Sequence, residues 1–236
     1  AGTETVYFQN LAPVLDLVVG PLVVNGAAAD NAINYTQGSV AANGLVTIDN
    51  FESIEFSNKT TLTINGLAGN DEINLNNPNT PTGLTGDASP AIAGVQPILV
   101  DGGDPAGSDV VTVNSLPGAF EIIDVFPRAP GLTEITKFGP REAPTGIEHL
   151  NVALDPTQPD ILFLDGTAGN DTYEVTPGAL SDEGTVTGFV PGFPGLSFVP
   201  LSYSGLRGFL ELPPAFEGGT DRTIINGPSA NDVFVV

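Results

Sequence analysis

The sequence predicts an all-β fold of stacked repeats, a parallel β-solenoid or β-helix-like repeat domain, on three observations. The chain has 29 Gly and 21 Pro among 236 residues, yet 41% of its residues are apolar. Gly weakens helices and Pro breaks them, while the apolar content is that of a chain with a core. Short strands joined by many turns satisfy both. A string of Asn/Asp-Gly, small residues and an Asn/Asp pair also returns along the chain. After each copy, apolar and polar residues alternate strictly, the period of a half-buried strand. Residues 1–236 read as a single repeat-built β domain, long enough to bury a core.

The copies are "VNGAAADNAINY" (24–35), "INGLAGNDEINL" (64–75), "VDGGDPAGSDVVTV" (100–113), "LDGTAGNDTYEV" (164–175) and "INGPSANDVFVV" (225–236). Their Asn/Asp-Gly steps begin at Asn25, Asn65, Asp101, Asp165 and Asn226, at intervals of 40, 36, 64 and 61 residues. In each, Asn-Gly or Asp-Gly turns the chain because these residues accept positive φ at little cost. Small residues keep the corner tight, and an Asn/Asp at the exit can bond local backbone. The outgoing strand alternates, with Ile73 and Leu75 set against Glu72 and Asn74.

Between copies the chain writes further strands. "LVTIDNFESIEFSNKTTLTING" (45–66) predicts three, with turns at Asp49-Asn50 and Ser57-Asn58. "EAPTGIEHLNVALDPTQPDILFLDG" (142–166) follows a similar plan, and 206–227 is a looser version. The Pro/Gly-rich stretches 126–146 and 188–205 are expected as insertions, surface loops that lengthen two intervals. No strong amphipathic helix appears; 178–184 predicts one helical turn at most. A unit of about 40 residues cannot close a core alone, so units must stack, and side chains at equivalent corners should form ladders. An antiparallel β-sandwich, with strands recurring every 8–12 residues, is the competing architecture. "TETVYFQN" near the start and "NDVFVV" at the end both read as uncapped strands. Neighbouring sequence or neighbouring subunits are expected to cover them by strand addition.

Charge and composition exclude several functions. The net charge is −22, with six basic residues, so nucleic acid and anionic lipid surfaces are repelled. No segment is long and apolar enough to insert in a membrane; 15–24 is short and split by Gly and Pro. Without Cys there is no disulfide or thiolate site. The absence of Met implies that an N-terminal piece is lost or that the chain is an excerpt of a longer one; a removed signal peptide is the simple reading, and with it an extracellular or cell-surface location is expected.

The strings Gly66-Leu67-Ala68-Gly69-Asn70-Asp71-Glu72-Ile73 and Gly166-Thr167-Ala168-Gly169-Asn170-Asp171-Thr172-Tyr173 resemble the Gly/Asp-rich calcium-binding nonapeptide of the RTX (hemolysin-type) family. "TTLTINGLAGNDEINL" also resembles repeats of very large bacterial surface and secreted proteins. In that family calcium lies between consecutive turns, held by Asp carboxylates and backbone carbonyls; here the motifs are isolated. Calcium takes six to eight oxygens. Asp71, Asp171 and Asp232 are the first candidate ligands, with Asp109 and Asp30 from the other copies; Asp101, Asp104 and Asp165 add oxygens if units stack in register. The alternative is that these side chains shape corners and hold no metal.

Enzyme chemistry finds little support. His149 is the sole histidine, and on an alternating strand it reads as a packed or surface residue. No phosphate loop, dinucleotide fingerprint or nucleophile elbow occurs. The expected function is therefore a non-enzymatic structural protein: a subunit or segment of a surface layer, filament or giant adhesin. It would pair with itself or with neighbouring repeats through exposed β edges, with calcium as a stabiliser. A carbohydrate-binding or adhesive module, with a glycan partner, is the alternative; a glycan-active enzyme ranks third. Of 13 Phe, Phe126, Phe138, Phe189, Phe193 and Phe198 fall in the two stretches read as insertions, as interface anchors or as local clusters.

Overall fold

The computed structural model describes residues 14–76, 83–85, 98–104, 107–129, 132–137, 142–167, 169–189, 198–212 and 220–227. Among them there is no helix. The strands are β1 (Val14–Asp16), β2 (Gly20–Asn25), β3 (Ala32–Gln37), β4 (Gly44–Ile48), β5 (Ile54–Phe56), β6 (Lys59–Asn65), β7 (Glu72–Leu75), β8 (Ile98–Asp101), β9 (Val110–Asn114) and β10 (Ile122–Ala129). There follow β11 (Leu132–Thr136), β12 (Glu142–Thr145), β13 (His149–Ala153), β14 (Ile161–Leu164), β15 (Thr172–Pro177), β16 (Gly184–Phe189), β17 (Leu201–Ser204), β18 (Leu210–Glu211) and β19 (Arg222–Ile225).

They form two sheets. The larger runs β1-β5-β4-β3-β7-β9-β13-β17-β16-β15-β19, and the smaller runs β18-β14-β10-β11-β12-β8-β6-β2. Among the described residues, eleven of the seventeen strand pairings are parallel. The six antiparallel ones all belong to hairpin excursions. The fold is thus a parallel β-solenoid and not an antiparallel sandwich.

The hairpins have a topological reason. Give each corner from the smaller sheet to the larger one a level. Then β2 and β3 share level one, β6 and β7 level two, β8 and β9 level three, β12 and β13 level four, β14 and β15 level seven, and β18 and β19 level eight; both strand orders agree with this numbering. On the opposite side, β1, β5, β9, β13 and β17 each lie three levels below the small-sheet strand that follows. Packed twisted sheets carry their strands at an angle, so the two sides of a coil need not join equal heights. The hairpins β3-β4-β5, β10-β11-β12 and β15-β16-β17 each step back two levels. Where such a hairpin lies between two corners, three forward and two back leaves one level; β7 to β8 moves up one level directly, and β13 to β14 moves up three, past levels five and six, which β11 and β10 fill in the smaller sheet and β17 and β16 in the larger.

The two stretches expected as insertions contribute strands to the sheets. Residues 126–146 include β11 and β12, which lie inside the smaller sheet, and 188–205 include β17, inside the larger one. Phe138 and Phe193 lie outside the described residues, whereas Phe198 packs on Tyr173 with ring centroids 5.1 Å apart. The expected helical turn at 178–184 is a hairpin tip. The turns at Asp49 and Asn58 are where the sequence puts them, both with positive φ.

A longer repeat also emerges. The run β14-β15-β16 repeats β2-β3-β4 at an offset of 140 residues: Ile33, Gly38, Gly44 and Val46 correspond to Tyr173, Gly178, Gly184 and Val186. Both hairpins close in the same register, Gln37 opposite Gly44 and Pro177 opposite Gly184.

The alternating apolar residues of both sheets meet in one core, in which Ile33, Tyr35, Leu62, Ile64, Leu75, Ile98, Val111 and Ile123 are wholly buried. Burying each such side chain is worth about 1.5–3 kcal/mol. Two of the six basic residues bolt the sheets together from inside. Lys59 bonds the Val18 carbonyl and pairs with Asp16 at 2.7 Å. Lys137 donates to the Asn114 carbonyl at 2.9 Å and lies 3.3 Å from Glu142. An Ile64→Val substitution should cost roughly 0.5–1.5 kcal/mol in urea unfolding, because the close-packed interior cannot refill the lost methyl. Val23→Thr, on the solvent face of β2, should change little.

Candidate functional site: the stacked corners

The corners from the smaller to the larger sheet stack on one another, and their polar side chains interlock. Asn31 N–H donates to Asp71 Oδ1 at 2.8 Å, Asp71 N–H to Asp109 Oδ1 at 2.8 Å, and Asp109 N–H to Glu148 Oε2 at 2.7 Å. A second column runs the other way: Asn70 N–H donates to Asp30 Oδ1 at 2.8 Å, and Ser108 N–H to Asn70 Oδ1 at 2.9 Å. In each corner pair the first side chain thus reaches up one rung and the second reaches down. The same grammar returns at level seven, where Thr220 N–H donates to Asn170 Oδ1 and Asp171 N–H to Asp221 Oδ1. The expected ladder is present in two forms: Asn65 Nδ2 donates to Asn25 Oδ1 at 2.7 Å, side chain to side chain at the Asn-Gly steps, whereas the columns above run from backbone N–H to carboxylate or amide. An Asn or Asp oxygen is long enough to span the gap of about 4.8 Å between rungs.

Glycine makes the stacking possible. A Cβ on Gly26 would lie 2.7 Å from the Gly66 carbonyl oxygen, one on Gly66 2.5 Å from that of Gly102, and one on Gly102 2.1 Å from that of Gly146. Each corner glycine therefore lies against the next backbone, leaving no room for a side chain. A parallel column joins Gly69 to Ala29 and Gly107 to the Gly69 carbonyl.

Asp71 and Asp109 are wholly buried, and among the described residues the Oδ2 of each meets no hydrogen-bond donor. At other corners the second turn residue supplies one: Ala27 N–H to Asn31 Oδ1, and Thr167 N–H to Asp171 Oδ2 at 2.6 Å. At the middle corners the equivalent residues, Leu67 and Gly103, have positive φ, 84° and 109°, and that bond is missing. Burial pushes the Asp71 carboxyl above its ordinary range, with Asp30 and Asp49 adding repulsion. Asp109 is raised for the same reason, facing Asp71, Glu148 and Asp104.

The other edge of the solenoid uses the same device. Glu121 N–H donates to Asp160 Oδ1 at 2.8 Å, and Leu116 N–H to Glu121 Oε2 at 2.8 Å; both carboxylates are buried.

Of the sequence-predicted ligands, Asp30, Asp71 and Asp109 are brought onto neighbouring corners. Asp101 ends β8 beside Gly146. Asp171 belongs to a corner four levels from that of Asp109, and Asp165 lines a cavity of about 30 Å³ with Val125, Leu164 and Tyr173. Asp232 lies outside the described residues. Among those described, no three His, Cys, Asp or Glu side chains come together to hold a metal ion. The fifth motif copy is misplaced by the sequence: Asn226 follows β19 in the larger sheet, its N–H bonded to the Val175 carbonyl. The equivalent corner is Thr220-Asp221, whose Thr-Asp before an alternating strand is the available signal. Glu148 and Asn31 were also missed as column members. Glu148 lies 39 residues after Asp109, one rung's length, and that spacing could have found it. His149 is half-buried, its Nε2 2.8 Å from Ser202 Oγ.

Set against known proteins, the chain matches no family model, no curated protein and no solved structure.

Proposed function

We propose that this chain is a non-enzymatic structural module, a stiff β-solenoid segment of an extracellular layer, filament or giant adhesin, that joins further copies or repeats through its sheet edges. The observation that carries this is how the corner carboxylates are used. Asp30, Asp71, Asp109, Glu148, Asp171 and Asp221 each engage or support the backbone of a corner. Asp71, Asp109 and Glu148 thereby tie rung to rung. Composition supports the extracellular location.

The lower end supports self-association. Among the described residues β1 and β2 are the edge strands at that end, and Leu15, Leu17, Val18, Val19 and Val23 are all at least half exposed. Apolar side chains beside open strand edges favour strand addition. Negative-stain microscopy and sedimentation velocity over a concentration series should detect end-to-end strings, lost in a Val18→Lys/Val19→Lys variant. Single particles at every concentration would refute self-association.

Calcium is a separable part of the proposal. The Oδ2 atoms of Asp71 and Asp109 support it, but two oxygens fall short of the six to eight the ion takes. Melting with calcium against chelator decides it: an equal Tm in both removes calcium from the account.

A further inference from the structure

We infer that the outer face of the larger sheet binds a neutral, hydroxyl-rich glycan chain lying across its strands. The strand register aligns one outward residue from each of eight neighbouring strands. In order across the sheet they are Thr47, Asn34, Asn74, Thr112, Asn151, Ser202, Thr185 and Thr176. All are amides or hydroxyls and none is charged, on a chain of net charge −22. Amides and hydroxyls both donate and accept, as sugar hydroxyls do.

The row is not flat along its length. Over β9, β13, β17 and β16 it becomes the floor of a groove of about 430 Å³, with Thr112, Asn151, Ser202 and Thr185 below and the hairpin tip 178–184 as a wall. That tip is held in place: Glu183 Oε1 accepts from Ala179 and Leu180 N–H, and Leu206 N–H donates to the Asp182 carbonyl. The volume falls in the usual range for small-ligand sites. Four strands at about 4.8 Å spacing give a floor of about 14 Å, enough for a short oligosaccharide.

The lining decides the ligand class. An anion would meet the negative field of the whole chain. A cation would find one carboxylate, Glu183, already engaged by two backbone N–H groups. An apolar ligand would face a floor of amides and hydroxyls. A polymer repeating its hydroxyls at regular intervals matches groups repeated once per strand. Ordered ice is the competing surface for such a row, but a walled groove favours a chain over a plane.

The test is titration of the full chain, by isothermal calorimetry and amide NMR shifts, with neutral cello-, xylo-, manno- and chito-oligosaccharides. Thr185 is exposed, so Thr185→Glu charges the groove without touching the core. At least one oligosaccharide should bind, shifting the amides of Thr112, Asn151 and Ser202, and Thr185→Glu should weaken it about tenfold or more. Thr47→Glu, on the same row outside the groove, should bind as the parent does. Binding by none of the four, equal binding by Thr185→Glu, or thermal hysteresis of freezing without sugar binding would each overturn the inference.

Discussion

Gly102→Ala should cost on the order of 3 kcal/mol or more in chemical denaturation. Its Cβ would lie 2.1 Å from the Gly146 carbonyl oxygen and 2.8 Å from Asp109 Oδ2. Both neighbours are fixed. Gly146 opens the next corner, and Asp109 is locked by the N–H of Asp71. Relief would require spreading two rungs, which breaks bonds in both columns at once. Gly118→Ala is the matched control. Gly118 has φ of 75°, but a Cβ there meets nothing within 4 Å. Its cost should be the left-handed strain alone, roughly 1–2 kcal/mol. Equal losses in the two variants would show that the corners do not stack as tightly as described.

Asp109→Ala should lose about 2–3 kcal/mol, because the buried N–H of Asp71 is left without an acceptor. Asp71→Asn should behave differently. Asn31 already occupies the equivalent place one rung below, with its Oδ1 accepting from Ala27 N–H and its Nδ2 donating to Asp49 at 2.8 Å. An amide at 71 still accepts from Asn31 N–H and brings no buried charge, so stability at neutral pH should hold or rise.

The pH dependence separates these variants further. Asp71 and Asp109 titrate above their ordinary range in the folded chain, chiefly through burial. Between the ordinary carboxylate pKa, about 4, and the raised folded value, the folded state binds more protons than the unfolded one. Their contribution is therefore full below the ordinary value and is lost as pH rises through the folded value. Glu55 runs the other way: bonds from Asn43 and Ser39 hold its carboxyl low, so its contribution is lost as pH falls. Urea unfolding from about pH 4 to about pH 8 should give a parent curve that declines toward the neutral side and a shallower decline in Asp71→Asn. Superimposable slopes would mean that Asp71 is ionised at little cost.

The corner carboxylates also separate what can be read locally from what cannot. Asn-Gly and Asp-Gly steps, small residues and alternating strands are written in adjacent residues, because tight turns and the two-residue period are properties of a few neighbouring backbones. The expected positive φ does not fall on those steps: Asn25, Asn65 and Asp101 end strands, the positive φ belongs to Leu67, Gly69 and Gly103, and the glycines of the steps are needed for close approach between rungs. The sequence by itself therefore determined the all-β class, the repeated corners at Asn25, Asn65, Asp101 and Asp165, the turns at Asp49 and Asn58, and the inward faces of the strands. It misplaced Asn226 because the string at 225–236 satisfies the same local chemistry as a true corner. Thr220-Asp221 holds the place by pairing with Asn170 and Asp171, 50 residues away. The tertiary structure decided which residues share a column, that 126–146 and 188–205 supply strands, and that the acidic side chains bond backbone. The columns depend on partners about 40 to 50 residues distant in the chain and one rung away in space. Stacking sets that distance, and no short stretch of sequence encodes it.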